Sequence, residues 1–368
     1  MRDAEDPHVG DCPPARGPGP CDLTEFTPTA PRRAVPDRGP DATGAAVAEP
    51  LVSVVVATNR GGPFLAEALA SVATQTYPHV ELVVVDDGSP DPAVIRGLVE
   101  DAGAGTVVRL DPSGVSAARN TGVRHTHGEL LAFLDDDDRW HPDRLRLAVD
   151  ALSARPDAVI SYCAMRTVDP TGEQLVAADQ RPARDARDVV RGLTGIMLPN
   201  LVIRRGAFDA VGGFDPAYRQ GEDLDLVLAA ATLGPFVFVD EVLVDYRYHP
   251  GNTTRAYRDL AAGIRVILRE RRSQARTAER VGRATPAGLD AAYRDRLRAN
   301  DRFAAWSAAR AARADLSERG VRAALGHVAW AARFAPLAPL DWGRERVRRV
   351  VSRVTGEATG AGTGSSTG

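Results

Sequence analysis

The sequence contains no lysine: all 46 of its basic residues are arginine, against 49 acidic residues. A Walker A phosphate loop requires a lysine, and so does an enzyme that forms a Schiff base, so both chemistries are excluded. The formal net charge of -3 gives no electrostatic reason to expect a nucleic-acid partner. These absences remove several large classes of enzyme and binding protein.

Cysteine is scarce as well, since Cys12, Cys21 and Cys163 are the three in the chain. They are too few and too scattered for a disulfide framework or a zinc site, which favours a reducing, cytoplasmic setting. Long apolar runs are also missing, because the longest, 226–239, is interrupted by Gly-Pro and is shorter than the roughly 20 residues of a membrane span. The N-terminus lacks the apolar segment of a secretory signal. The sequence predicts a protein that does not cross a membrane.

Four regions differ in composition. Residues 1–50 contain ten prolines and few aromatic residues, and residues 355–368 are rich in Gly, Ser and Thr, so both segments are predicted to be disordered. Residues 51–256 alternate strand-like and helix-like segments and form the predicted main domain. Residues 257–354 are rich in Ala and Arg and are predicted to be mostly helical.

Four apolar runs alternate with helical periodicity between residues 51 and 138. Strands that are buried on both faces and alternate with helices predict an α/β fold with a mostly parallel sheet. Three of the runs end in polar residues, namely Thr58-Asn59, Asp86-Asp87 and the aspartates at 135–138. Ligands bind beyond the carboxyl ends of parallel strands, so these residues are expected to converge. A helix from about Glu222 and a strand pair across 237–249 are predicted to follow.

The four consecutive aspartates at 135–138 would repel one another unless a cation neutralised them. Asp135 and Asp137 project to the same side of an extended chain, so they could share one Mg²⁺ or Mn²⁺ ion. A solvated acidic turn is the plainer alternative, but an apolar strand that ends directly in the aspartates favours the metal site. Phosphatase-type phosphoryl transfer fits poorly, because Asp138-Arg139 follows and lysine is absent. A nucleotide-sugar site, in which the aspartates hold a metal against a diphosphate, fits better.

Eight stretches together carry a resemblance to family 2 glycosyltransferases, which have the GT-A fold. They follow one another in the family's order: Val52 to Asn59, Ser71 to Pro78, Glu81 to Ser89, Gly114 to Gly122, Gly128 to Asp138, Val211 to Asp215, Gly221 to Leu226 and Tyr246 to His249. Each stretch alone is a weak signal, whereas the ordered set is specific. The resemblance implies a GT-A-type, mostly parallel sheet flanked by helices, with a C-terminal helical extension.

The resemblance also assigns roles to individual residues. It implies nucleotide contacts from Thr58, Asn59, Asp86, Asp87, Arg119 and Asp136. It implies metal ligation by Asp135 and Asp137, with His249 as a further candidate. Asp223 is expected to be the catalytic base, and Glu222 is the alternate. The plainer interpretations are a turn at Asp86-Asp87, a surface arginine, a structural histidine, and acids that favour a helix dipole.

The activity that the resemblance implies is an inverting, single-displacement transfer from a nucleotide-diphosphate sugar, with a UDP-sugar as the favoured donor. The acceptor would be a glycan or a lipid-linked molecule. A catalytically inactive sugar- or protein-binding relative and a nucleotidyltransferase on a similar sheet are the alternatives. Four valines of the predicted C-terminal helix (Val347, Val350, Val351 and Val354) share one face among arginines. That face fits packing on the main domain or, less well, an anionic membrane surface.

Overall fold

A sheet flanked by helices forms the centre of the computed structural model, which describes residues 49–103, 105–252, 256–282 and 285–338. The strands in this part of the chain are β1 (Val52–Thr58), β2 (Val80–Asp87), β3 (Thr106–Leu110), β4 (Leu130–Asp135), β5 (Arg139–Trp140), β6 (Ile160–Val168), β7 (Gln174–Val176), β8 (Leu201–Arg204) and β9 (Phe236–Arg247). The helices are α1 (Pro63–Ala73), α2 (Pro92–Asp101), α3 (Val115–Arg124), α4 (Arg144–Ala154), α5 (Ala186–Arg191), α6 (Arg205–Val211), α7 (Glu222–Ala230), α8 (Tyr257–Arg280), α9 (Leu289–Glu318) and α10 (Val321–Phe334).

The strand order in the sheet is β3-β2-β1-β4-β8-β6-β9-β5, and β7 pairs with β6 off this path. The first four strands are parallel, as predicted, and each is linked to the next along the chain by a helix. Strand β8 then pairs antiparallel with both β4 and β6, and β6 pairs parallel with β9. The longest strand pairings in the sheet are parallel. Strand β8, which is antiparallel to both of its neighbours, separates the parallel strands β3-β2-β1-β4 from the parallel pair β6-β9.

Apolar side chains on the two faces of the sheet enter different cores. Helices α1, α2 and α4 cover one face, where Leu69, Ile95 and Leu145 belong to the same hydrophobic core as the valines of β1. Helices α3, α6 and α7 cover the other face, where Phe133 and Phe214 pack edge to face with ring centroids 5.0 Å apart. Because β1 and β4 are buried on both faces, their sequences are continuous apolar runs without alternation.

The predicted strand pair across 237–249 is wrong, because the chain there forms the single strand β9. Its pairing with β6 shifts register next to Cys163 and Ala164, so Asp240 and Glu241 bulge out of the ladder. Two adjacent acidic residues in an apolar run resemble a turn in the sequence, but a bulge accommodates them without ending the strand. The continuous strand carries the chain back to the carboxyl edge of the sheet.

The C-terminal helices pack on the main domain. Ile267 and Leu268 of α8 and Tyr293 of α9 are buried against Val190 and Leu228. A bidentate ion pair joins Arg271 of α8 to the buried Asp225 of α7, with nitrogen–oxygen distances of 2.6 and 2.5 Å. Helix α7, which carries the predicted base, is therefore held from both sides.

Some predictions fall on residues that the structure does not describe. These are the predicted disordered segments, apart from residues 49 and 50, and the valine-bearing face at 347–354. The domain boundary near residue 256 stays a prediction. None of the described helices combines the length and the apolar character that crossing a bilayer requires.

Candidate active site

The carboxyl ends of β1, β2 and β4 bring the predicted site residues together. Thr58 is paired in register with Asp86 on one side, and the preceding Ala57 is paired with Asp135 on the other. The convergence expected from the strand ends is confirmed. It follows from the parallel topology, because strands that run the same way end at the same edge.

Thr58, Arg60 and Asp136 form a hydrogen-bonded group at the end of β1. The Thr58 hydroxyl donates to Oδ2 of Asp136 at 2.5 Å, or to the carbonyl of Arg60 at 2.6 Å. The Arg60 guanidinium, which is half exposed, donates to Asp136 Oδ1 and to Asp137 Oδ2, each at 2.9 Å. Asn59 is exposed beside this group. Arg60 thus supplies a positive charge to two of the four aspartates.

The adjacent Asp86 and Asp87 differ in their surroundings. Asp86 is fully buried and accepts hydrogen bonds from the backbone and hydroxyl of Ser89 at 2.8 and 2.9 Å, and from Arg109 at 2.5 Å. These bonds oppose the effect of burial and hold the pKa of Asp86 below its usual value. They also fix the turn at Gly88, whose φ of +79° lies in the left-handed region. The turn role expected for Asp86 is present.

Asp87 points toward the start of α3. Its Oδ1 accepts bonds from the backbone and hydroxyl of Ser113 at 2.7 and 2.8 Å, and its Oδ2 accepts one from the Gly114 backbone at 2.9 Å. Asp87 therefore positions the loop before α3 and remains half-buried at the sheet edge. Nucleotide contact by either carboxylate stays a prediction.

Arg119 connects the sheet edge to helix α7. Its guanidinium is buried and donates to Asp135 Oδ1 and to Glu222 Oε1, each at 2.6 Å. Burial lowers the pKa of Arg119, but the charges of Asp135 and Glu222 outweigh that effect and raise it. The sequence predicted a contact between Arg119 and the nucleotide and did not predict this bridge. The bridge joins residues that lie about a hundred positions apart in sequence, so no local pattern reveals it.

Helix α7 begins with the acidic pair Glu222-Asp223. The preceding Gly221 has a φ of +84°, and a Cβ there would lie 2.9 Å from the end of the Ile267 side chain. Burial, followed by the charge of Glu222, raises the pKa of Asp223 to about 6. Glu222 is bonded to Arg119, whereas Asp223 accepts a bond from the backbone of Leu224 at 2.7 Å. A carboxylate with a pKa near neutrality is suited to accept a proton.

Asp137 and His249 are in direct contact. The His249 Nε2 lies 2.9 Å from Asp137 Oδ2, while its Nδ1 accepts a hydrogen bond from the Gly251 backbone at 3.0 Å. Because Nδ1 accepts, Nε2 carries the proton and donates it to Asp137. In this arrangement His249 orients Asp137. Ligation of a metal by His249 stays a prediction, and it would require Nε2 to release this bond.

The donor set at the aspartates fits a divalent cation that also takes oxygens from a ligand. Burial and the charge of Asp135 raise the pKa of Asp137, so negative charge there is poorly compensated. Carboxylate oxygens are the ligands that Mg²⁺ and Mn²⁺ prefer. Within the described part of the chain, however, no three acidic, histidine or cysteine side chains form a metal-binding group by themselves. The predicted set of Asp135, Asp137 and His249 would need phosphate oxygens or water to complete the coordination.

The fourth aspartate, Asp138, has a structural position. It is fully buried and accepts a hydrogen bond from the Arg247 backbone at 2.8 Å. The Arg247 guanidinium lies 4.1 Å from the centre of the Phe64 ring and donates to Glu67. Phe64 in turn packs against His249 with ring centroids 5.4 Å apart. Asp138 and Arg247 thus support the wall behind the Asp137–His249 pair.

A cleft of about 230 Å³ opens next to these aspartates. Its lining includes the Arg60-Gly61-Gly62 loop, Phe64, Asp136 and His249. Sequence reasoning assigned no role to Arg60, although its position directly after the strand-end Thr58-Asn59 was a usable signal. A second depression, of about 470 Å³, lies near Glu129 and Arg204, away from the acidic residues.

The chain is similar to known glycosyltransferases. The family model described as Glycosyl transferase family 2 matches residues 53–212. A mannosyltransferase from Pyrobaculum calidifontis, solved in complex with GDP-Man and Mn²⁺, is similar with a TM-score of 0.53 and 25% identity, over 85% of this chain and 91% of that one. Staphylococcus aureus TarS shares the fold at a TM-score of 0.50 and 18% identity, over 70% of this chain and 42% of that one.

Curated relatives agree with this class. An uncharacterized glycosyltransferase of Rickettsia prowazekii, RP339, is 26% identical over 234 residues, which are 58% of this chain and 71% of the relative. The putative teichuronic acid biosynthesis glycosyltransferase TuaG of Bacillus subtilis is 31% identical over 139 residues, 36% of this chain and 51% of the relative. Against a Rickettsia felis relative the chain spans 34% of that protein's length.

The fold matches that of GT-A-type glycosyltransferases. Over residues 53–212 the chain is similar to family 2 glycosyltransferases, so the resemblance carried by the eight stretches is confirmed. The predicted fold class, with its sheet, flanking helices and C-terminal helices, is confirmed as well.

Proposed function

We propose that the protein transfers a sugar from a nucleotide-diphosphate donor to an acceptor hydroxyl by inverting displacement with the assistance of a divalent cation. One observation carries this proposal. Arg119 joins Asp135 of the strand-end aspartates to Glu222 of α7, and Asp223 beside it has its pKa raised to about 6. The residues proposed to hold the donor and the residue proposed to accept the proton therefore lie close to each other. The similar mannosyltransferase bound to GDP-Man and Mn²⁺ supports this interpretation.

In this proposal the acidic pair of α7 supplies the catalytic base. Asp223 removes the proton from the acceptor hydroxyl as that oxygen attacks the anomeric carbon from the face opposite the leaving diphosphate. One displacement of this kind inverts the anomeric configuration. Arg119 already bonds Glu222, so Asp223 is the freer carboxylate of the pair. Glu222 stays the alternate base.

Asp135 and Asp137 are the residues that would hold Mg²⁺ or Mn²⁺, and His249 orients Asp137. A cation bound there would neutralise negative charge that develops on the leaving diphosphate. Thr58, Asn59, Asp86, Asp87, Arg119 and Asp136 remain the predicted nucleotide contacts. A UDP-sugar stays the favoured donor, a glycan or lipid-linked molecule the proposed acceptor, and the cytoplasm, including the inner face of the membrane, the proposed location.

The donor and metal are tested together by thermal unfolding with a panel of nucleoside diphosphates, with and without Mn²⁺. A ligand at 100 times its Kd stabilises the folded state by about 2.7 kcal/mol, which corresponds to a rise in Tm of roughly 5–10 °C for a domain of this size. We expect this rise for one nucleotide, UDP being favoured, and in the presence of Mn²⁺.

The matched variants for that experiment are Asp137→Asn, which removes a proposed ligand, and Asp240→Asn, which changes an exposed aspartate of the β9 bulge. The first should abolish the dependence on Mn²⁺ and the second should leave it intact. If no nucleoside diphosphate stabilises the protein with any divalent cation, the proposed function is wrong. Stabilisation without any measurable transfer would favour the inactive relative.

The pH dependence of kcat/KM should report the state of Asp223. Because a base must be ionised to accept a proton, and the pKa of Asp223 is raised to about 6, kcat/KM should rise with pH, reach half its plateau near pH 6 and level off about one pH unit higher. Glu222→Gln removes the neighbouring charge that contributes to the raised pKa, so this limb should move to lower pH. The exposed Glu241→Gln should not move it. A limb that Glu222→Gln leaves in place would contradict the assignment.

A further inference from the structure

Helix α10 carries an apolar stripe on its outer side. Val321, Leu325 and Val328 are 63%, 58% and 54% exposed and follow one another at the spacing of a single helix face. Another side packs inward, where Ala324 is buried, Trp330 packs edge to face on Tyr257 of α8, and the Arg265 guanidinium of α8 lies 3.3 Å from the centre of the Phe334 ring. The inner side therefore accounts for the attachment of α10 to the protein. The outer stripe has no covering among the described residues.

The segment that carries this stripe is rich in arginine. Residues 302–338 contain six arginines and two acidic residues, and α10 itself contains no acidic residue, while the whole chain has a net charge of -3. Arg322 and Arg333 lie three helical turns apart on the same side of α10, next to the stripe. Both are exposed, and neither forms an ion pair with any residue that the structure describes. The positive charge is thus available to an external partner.

The preceding helix α9 also exposes an aromatic side chain. Trp306 of α9 is 47% exposed, and the Arg310 guanidinium lies 4.2 Å from the centre of its ring. Tryptophan and arginine are the side chains that settle at the boundary between lipid headgroups and acyl chains. Leu316 near the end of α9 is exposed as well.

We propose that the outer face of α10, defined by Val321, Leu325, Val328, Arg322 and Arg333, docks on an anionic membrane surface. An apolar stripe flanked by arginines lies in the plane of such a surface, with the aliphatic side chains among the acyl chains and the guanidinium groups on lipid phosphates. The helix lies on the bilayer and does not cross it, which agrees with its short length. This docking involves none of the proposed catalytic residues.

Two other partners fit this face less well. A nucleic acid offers phosphate charge but no apolar surface for the three aliphatic side chains. A second copy of the chain would bring a like-charged face against this one, which opposes association. An anionic bilayer supplies both apolar depth and negative charge.

The test is co-sedimentation of the full chain with vesicles of phosphatidylcholine containing phosphatidylglycerol, against vesicles of phosphatidylcholine alone. We expect binding to the anionic vesicles that weakens with salt, because screening reduces the attraction of exposed charges. Leu325→Asp with Val328→Asp should weaken binding more than about tenfold, since it places carboxylates at the lipid interface. Arg322→Gln and Arg333→Gln should each weaken it about fivefold.

The matched control is Val176→Asp, which changes a similarly exposed valine on β7, outside the helical region. It should bind as the unchanged chain does, and all variants should keep their Tm, because the altered side chains are mostly exposed. Absence of binding to anionic vesicles would overturn the proposal. So would binding that persists in the α10 variants but is lost in Val350→Asp with Val351→Asp. A dimer that Leu325→Asp dissociates, or retention on DNA in place of vesicles, would assign the face to another partner.

Discussion

Replacing Asp223 by Asn should lower kcat by about 10²–10⁴-fold, which is the usual contribution of a positioned general base. The amide has nearly the same shape as the carboxylate and can still accept the hydrogen bond from the Leu224 backbone, but it cannot take up a proton. Nucleotide affinity should stay within about threefold, because Asp223 belongs to the acceptor side of the proposed site. The measurement is initial-rate transfer together with nucleotide binding on the same preparation.

Two comparisons make this experiment decisive. Asp240→Asn should leave transfer unchanged, because that aspartate lies in the exposed bulge of β9. Glu222→Gln should reduce transfer less than Asp223→Asn does. If Asp223→Asn retains normal turnover and Glu222→Gln does not, the base is Glu222. Retention of normal turnover by both variants would refute the use of this acidic pair as a base.

The fold of residues 51–138 was predictable because its strands are buried on both faces. Such strands are continuous apolar runs, and they end where polar residues begin. Strand β1 ends at Thr58 and strand β4 ends at Asp135, which are the first residues of the polar groups predicted to end these two runs. Beyond residue 138 the pattern weakens, and the single strand β9 was mistaken for two. A bulge is set by pairing with a neighbouring strand, which a single-strand pattern does not contain.

The sequence predicted which residues lie at the site better than it predicted the contacts between them. The strand-end rule placed Thr58, Asp86 and Asp135 at one edge, and the structure agrees. Their partners come from distant segments: Arg119 bonds Glu222 across the sheet edge, and His249 bonds Asp137. These pairings depend on how α7 and the end of β9 return to the edge. Chemistry at a strand end can be inferred from local sequence, whereas ion pairing requires the tertiary structure.

Two arginine side chains supply positive charge to the acidic residues of the site. Arg119 serves Asp135 and Glu222, and Arg60 serves Asp136 and Asp137. Arg60 is half exposed, so solvent screens its contribution, whereas Arg119 is buried. The two arginines therefore differ in what their loss would cost. Loss of the exposed one can be compensated by water and salt, and loss of the buried one cannot.

Replacing Arg119 by Met should destabilise the protein by about 3–5 kcal/mol, the usual cost of leaving buried charges without their partner. For a domain of this size the loss lowers Tm by roughly 10 °C. Met fills most of the volume of the aliphatic part of the arginine side chain. The loss of stability therefore reports the missing charge and not a cavity. The deficit should be smaller at pH 5 than at pH 7, because Asp223, whose pKa is raised to about 6, is largely protonated at pH 5 and then adds no negative charge beside Glu222. Denaturant unfolding at both pH values measures it.

A second substitution separates the charge effect from a packing effect. Glu222→Gln removes one of the two carboxylates that Arg119 neutralises. In the Arg119→Met variant it should therefore restore part of the lost stability. In the unchanged chain the same substitution should destabilise the protein. Arg124→Met, at an exposed position on the same helix, should cost less than about 0.5 kcal/mol. A loss below about 1 kcal/mol for Arg119→Met, or no recovery in the double variant, would show that the bridge between sheet edge and α7 is not held by charge. The acidic pair of α7 would then owe its position to the packing of Gly221 on α8 and to the Asp225–Arg271 pair.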